Sequence, residues 1–179
     1  MPQEHLNAAT FEELAVPLFD QLYNFAHWLT QDRYDAEDLV QETYAKGLKG
    51  FGSFEPGTNF RAWMYRILRN TFLTSRSGLK ATVPLDDDGE ESVMPIVSDT
   101  PESLLLEQLN QEALQQAIEE LPVHFREIVL LAEVEEMSYQ DMAQALSIPV
   151  GTVMSRLARA RKALRSSLRQ RLGVRAHAL

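Results

Sequence analysis

The chain has 179 residues, a formal net charge of −9, 45% hydrophobic and 24% charged residues, enough for one mid-sized domain or two small ones of ordinary globular composition. It has no cysteine, which excludes disulfides, thiolate catalysis and sulfur-ligated zinc. No apolar run reaches the roughly 18 residues of a membrane span, the N-terminus lacks the basic-then-apolar pattern of a secretory leader, and His5, His27, His124 and His177 are too scattered to share a metal.

The first elements read as helices. Phe11, Leu14, Leu18, Leu22, Phe25 and Leu29 recur at spacings of three and four, building one apolar stripe. A break at residues 30–34 precedes a second helix from Asp35 to about Gly50, with Asp35, Glu37 and Asp38 at its positive end. Gly50, Gly52, Pro56 and Gly57 punctuate a loop, and a third helix runs from about Asn59 to Ser75. Residues 77–101 are rich in Pro, Gly and acids without sustained period and read as a flexible linker. Helical patterning resumes near Glu102 and lasts to about Leu172. It breaks at Leu121 and Pro122, continues over Val123 to about Glu135, and opens a short helix with a capping box at Ser138 and Asp141. Pro149, after Ser147 and Ile148, suits the first turn of the last helix. The fold class is therefore all-α, with lobes at 1–76 and 102–172, the linker between them and a tail at 173–179.

Charge is distributed in blocks. Residues 1–60 carry 3 basic and 10 acidic side chains, 61–80 carry 5 and 0, 81–141 carry 1 and 16, and 142–179 carry 8 and 0. Two acid-free basic blocks in an acidic chain point to two separate polyanion contacts. The second block begins within a stretch, Tyr139 to Arg159, that fits a helix-turn-helix. Val153, Leu157, Ala160, Leu164 and Leu168 form the apolar back of its last helix. Thr152, Ser155, Arg156, Arg159 and Lys162 form the front, a composition suited to the major groove. Arg161, Arg165, Arg169 and Arg171 suit phosphates. An ordinary solvated face normally mixes signs, and this one has no acid. The usual turn glycine is missing, with Ser147 near its place.

The first basic block is the helix NFRAWMYRILRNTFLTSRS. Phe60, Met64, Ile67 and Thr71 lie on one face, Tyr65, Arg66, Arg69 and Arg76 on the other, with Trp63 and Asn70 at one edge and Phe72 at the other. Cations, ring faces and an amide together suit single-stranded nucleic acid. Helical spacing favours the core for Phe60 and Trp63; Tyr65 and Asn70 fit either core or base contact.

Three segments carry a family resemblance. DAEDLVQETYAKGLKGFGSF resembles region 2.2 of the sigma-70 family, TNFRAWMYRILRNTF resembles regions 2.3–2.4, and LPVHFREIVLLAEVEEMSYQDMAQALSIPVGTVMSRLARARKAL resembles region 4. Together they are similar to sigma factors of the ECF (extracytoplasmic function) group, over about residues 11–76 and 103–170. The run LVQETYAKG, with the later TNFRAWMYRILRNT, also resembles the subgroup controlled by redox-sensing zinc anti-sigma factors.

The resemblance implies a cytoplasmic, non-enzymatic protein without cofactor that docks on core RNA polymerase and recognises promoter DNA. It implies docking on the β′ clamp helices through Asp38, Gln41, Glu42, Tyr44 and Leu48, with the β flap as the second polymerase contact. It implies −10 contacts by Phe54, Asn59, Trp63, Tyr65, Arg66, Arg69 and Asn70. It implies −35 contacts by Thr152, Ser155, Arg156, Arg159 and Lys162, and an anti-sigma factor as partner. Met154 stands where several members carry a DNA-contacting Arg, so their −35 preference does not transfer. Asp86, Asp87, Asp88, Glu90 and Glu91 suit either phosphate mimicry in a basic channel or simple solvation of the linker. A two-lobed regulator would keep the helix-turn-helix without needing the basic aromatic helix, and an all-α hydrolase would need a converging acid–base or metal cluster that the sequence lacks.

Overall fold

The computed structural model describes residues 9–77 and 111–176. Apart from Ser77, which ends a helix, the expected linker, with its acidic run and with Leu105 and Leu109 beyond it, lies outside them. Among the described residues every regular element is helical. They are α1 (Phe11–Ala15), α2 (Phe19–Thr30), α3 (Arg33–Gly50), α4 (Phe60–Ser77), α5 (Gln111–Glu119), α6 (Val123–Val129), α7 (Tyr139–Leu146) and α8 (Val150–Ala176). None of these helices is long and apolar enough to cross a membrane. By contact they fall into two units, one holding α1 to α4 with Met137–Val150, the other holding α5, α6 and the chain from Gly151.

In the first unit, Thr10 and Glu13 form a reciprocal capping box that starts α1. Pro17 then turns residues 16–18 into a 3-10 turn, so the long apolar stripe is split between α1 and α2. Helix α2 ends where Gln31 takes a left-handed conformation, φ 57°. Asp32, in extended conformation, accepts from the Asp35 amide at 2.9 Å and opens α3 at Arg33, two residues before the expected start. Leu22, Phe25 and Leu29 are 0–2% exposed, and burying each contributes roughly 1.5–3 kcal/mol. Helices α2 and α3 pack together, and α4 packs against α2, α3 and α7. Gly47 lets α3 approach its neighbours: a Cβ there would lie 3.1 Å from the Met64 sulfur and from the Phe11 ring.

In the second unit, α6 widens after Val129 into a π-helical turn over Leu130–Val134, with the Glu135 amide donating to the Leu130 carbonyl at 3.0 Å. Its buried residues include Ile128, Val129, Leu130 and Leu131. Arg126, the single base in the most acidic block, is only 7% exposed. Its guanidinium donates to the carbonyls of Ile118 (3.1 Å) and Leu121 (2.9 Å), and also to that of Glu119. A fixed cation thus caps the negative end of α5, where the Ile118 carbonyl also accepts from the Leu121 amide at 3.1 Å.

The turn before α8 is built by Ser147, which is left-handed at φ 55° and does the work expected of glycine. Ser138 accepts from the Asp141 amide at 3.1 Å, which is the side-chain-to-backbone half of the expected capping box. Arg126→Met is expected to lower the unfolding free energy by on the order of 3 kcal/mol, because two buried carbonyls and one part-buried carbonyl lose a charged donor. Equilibrium urea unfolding of the full chain checks this; a change within about 0.5 kcal/mol would contradict the capping role.

Candidate functional site

Three surfaces carry the residues singled out by the sequence. The first is the outer side of α3. Asp38, Gln41 and Glu42 are exposed, and Leu48 is 64% exposed, far more than an apolar side chain with a core duty. Glu42 pairs with Lys46 one turn on, at 2.8 Å, and Lys46 also donates to the Thr71 hydroxyl of α4 at 3.2 Å.

Tyr44 differs from its neighbours. It is half-buried and its hydroxyl donates to the Ala15 carbonyl at 2.7 Å, tying the end of α1 to α3. Burial pushes its ionisation from 10 up to about 12, so the hydroxyl keeps its proton throughout the neutral range and the tie weakens only as pH rises from 10 through that value. Phe19 lies 5.9 Å from the Tyr44 ring and is 49% exposed, and Val16 is 61% exposed. These two apolar residues beside the ridge escaped the sequence reading, because the stripe pattern had assigned the segment around them to the core. Their signal was the local break at Pro17.

The second surface surrounds α4. Asn70 is exposed and Arg66 half-exposed. Arg69 is half-exposed and donates to the Leu146 carbonyl at 3.1 Å, at the negative end of α7. Phe54 is half-buried, stacked on Phe51 at 6.0 Å and 5.3 Å from both Phe60 and Trp63. Trp63 is 8% exposed and closes that aromatic cluster from beneath. The Asn59 side-chain oxygen accepts from the Ala62 amide at 3.1 Å, so it caps α4.

Tyr65 is a correction. The helical wheel put it on the strand-facing side with Arg66 and Arg69, yet it is 1% exposed, with its ring 5.1 Å from Phe25 of α2 in an edge-on contact. The wheel assumed one buried face, whereas α4 has neighbours on several sides, and Tyr65 falls under α2.

The third surface is the front of α8. Val153, Leu157 and Ala160 are buried as expected, at 0–1% exposure, while Leu164 and Leu168 are half-buried. Ser155, Arg159 and Lys162 are exposed and Thr152 is half-exposed. Arg156, expected on this front, is 9% exposed and turns inward, its guanidinium 3.9 Å from the carboxylate of Glu127, itself 1% exposed. An isolated buried carboxylate on α6 is costly without a cation, and Arg156 is the residue in phase to answer it.

Two of the flanking arginines are also engaged within the unit. Arg161 holds Glu133 at 2.6 Å, and Arg171 pairs with Glu120 and donates to the Gln116 side chain at 2.8 Å. Arg165 and Arg169 are exposed. The outward cations of α8 are therefore fewer than the sequence count, and they begin at Arg159. Among the described residues, no three His, Asp or Glu converge as a metal site would require.

Family models match the chain twice: "Sigma-70 region 2" over residues 17–81 and "Sigma-70, region 4" over residues 111–164. The chain is 31% identical to the ECF RNA polymerase sigma factor SigW of Bacillus subtilis, over 84% of each protein. It is 34% identical to the ECF RNA polymerase sigma factor SigE of Mycolicibacterium smegmatis, over 89% of its own length but only 65% of that longer relative. Its fold is similar to the sigma factor RpoE from Bartonella quintana, solved in complex with the anti-sigma factor NepR, with a TM-score of 0.68, 30% identity and 89% and 96% of the two chains covered.

Proposed function

The chain belongs to the sigma-70 family, in its ECF group, and we propose that it acts as a promoter-specificity subunit, binding core RNA polymerase and directing initiation from −10 and −35 elements. The observation that carries this is the presence in one chain of both region 2 and region 4, each with an outward basic helix. A helix-turn-helix regulator without polymerase binding accounts for the second match and leaves the first, with its exposed α3 ridge, without a use. The division into 1–76, 77–101, 102–172 and 173–179 is part of this proposal; the matches span 17–81 and 111–164, the first running five residues past 76.

Docking rests on α3. Asp38, Gln41, Glu42 and Leu48 meet the β′ clamp helices, Phe19 extends the apolar part of the contact, and Tyr44 holds the ridge in place through Ala15. The region 4 part meets the β flap. At the −10 element, Asn70 reads an unstacked base while Arg66 and Arg69 neutralise phosphates. Phe54 offers a ring at the surface, and Asn59 and Trp63 hold that surface from behind. At the −35 element, Thr152, Ser155, Arg159 and Lys162 face the groove, and Arg156 sets the seating of α8 through Glu127. The chain performs no catalytic step of its own and works where the polymerase is, in the cytoplasm.

An anti-sigma factor restrains it, as the complex of the Bartonella relative suggests. If that partner is of the redox-sensing zinc type, all thiol chemistry lies in the partner, because this chain has no cysteine.

Three outcomes test this reading. Replacing Gln41 and Glu42 by Ala should weaken core binding while leaving the helical circular-dichroism signal intact; unchanged core affinity would remove the docking assignment. Arg159→Ala should cost on the order of 1–3 kcal/mol in −35 binding and relax preference at one base pair. Arg169→Ala should instead weaken all sequences alike and flatten the salt dependence; like behaviour of the two across a sequence panel would contradict the sorting. Diamide should release the redox-type complex, whereas diamide-treated sigma alone should still bind fresh reduced partner. Loss of binding after treating the sigma alone would place the sensor in the wrong chain.

A further inference from the structure

The front of α8 holds two parallel ridges of different chemistry. One runs through Ser155, Arg159 and Lys162, all exposed and polar. The other runs through Val150, Met154 and Ala158, four residues apart and therefore one above another on the helix. Met154 is 54% exposed and Val150 39% exposed, and Ala158 is exposed as well. Exposed large apolar groups at the start of a helix whose back is already formed by Val153, Leu157 and Ala160 serve no evident folding purpose. With Arg156 turned toward Glu127, the first two turns present only apolar and hydroxyl groups outward, and the first outward cation is Arg159.

We infer that Met154 is a specificity-determining residue of the −35 contact, reading the 5-methyl group of a thymine while Val150 and Ala158 exclude water on either side. This rests on the sigma-factor reading above. The thymine methyl is the apolar group that a base pair presents in the major groove. A thioether has no donor to satisfy guanine and cannot accept usefully from the cytosine amine. Setting the ridge over a G·C pair would therefore desolvate polar edges without replacing their hydrogen bonds. Over an A·T pair it buries a methyl against a flexible, polarisable side chain. The two ridges thus divide the work: the apolar one selects thymine, and Arg159 on the polar one selects its own position by hydrogen bonding.

The test uses the full chain reconstituted with core polymerase. The preferred −35 element is first selected from a randomised duplex. Each thymine in it is then replaced singly by deoxyuridine, which removes the methyl and leaves the pairing edge intact. At one thymine the wild-type holoenzyme should lose about four-fold in affinity, the size of one buried methyl. The same replacement should change binding of the Met154→Ala holoenzyme less than two-fold. Met154→Leu, which keeps an apolar side chain of similar volume, should retain the methyl dependence, so that the loss in Met154→Ala reports the missing apolar side chain and not substitution as such; Ala itself favours the helix.

The inference is overturned if no deoxyuridine substitution affects the wild type, if the effect persists undiminished in Met154→Ala, or if the selected element lacks thymine. In each of these cases a strong preference for the selected element over a scrambled one leaves the sigma reading standing. Failure to select any element at all would instead bring down the sigma reading and this inference with it.

Discussion

Helix α4 must serve two masters, and its packing decides what the first unit can offer to nucleic acid. It has α2, α3 and α7 as neighbours within that unit, and eight of its side chains, Phe60, Ala62, Trp63, Met64, Tyr65, Leu68, Thr71 and Phe72, are buried. What remains outward is a narrow strip centred on Arg66 and Asn70. The strip is rigid because everything behind it is filled: Phe54, Phe60 and Trp63 brace one margin, and Tyr65 under α2 braces the other. A surface already held in place has less conformational freedom to lose when something binds it.

The second unit solves the converse problem. Helices α5 and α6 are short, and carboxylates in and just beyond them meet basic side chains of the long α8. Cations placed at fixed points answer them: Arg156 for buried Glu127, Arg161 for Glu133, Arg171 for Glu120, with Arg126 on the carbonyls at the end of α5. The surface pairs are worth little individually. The buried one is costly to break from one side. It joins α8 to α6 on the side that buries Val153, Leu157 and Ala160, while Met154 stays exposed.

Much of this was legible in the sequence. The period of the apolar residues gave the helices, the acid-free blocks marked α4 and α8, and the absence of turn glycine at Ser147 was answered by a left-handed serine. Val153, Leu157 and Ala160 of the apolar back of α8 are buried where their spacing put them, and Leu164 and Leu168 only half so. Two site residues were misplaced for one physical reason. A helical wheel assigns one inside and one outside, but Tyr65 sits on a helix with neighbours on several sides, and Arg156 is polar yet drawn inward by a buried carboxylate far away in sequence. Neither partner is visible to a local pattern. The boundary shift at α3 has a smaller cause: Asp32, not Asp35, caps the helix, and both are plausible cap residues by type.

The central claim is that this chain confers promoter specificity on a polymerase core that lacks it. Run-off transcription on a randomised promoter library, with core polymerase and this chain as the sole added factor, tests it most directly. Transcripts should be enriched for one −10 and one −35 element at fixed spacing, with core alone giving none. Transcription no different from core alone, or from a library in which only the −35 element is enriched by binding without any transcript, would contradict it.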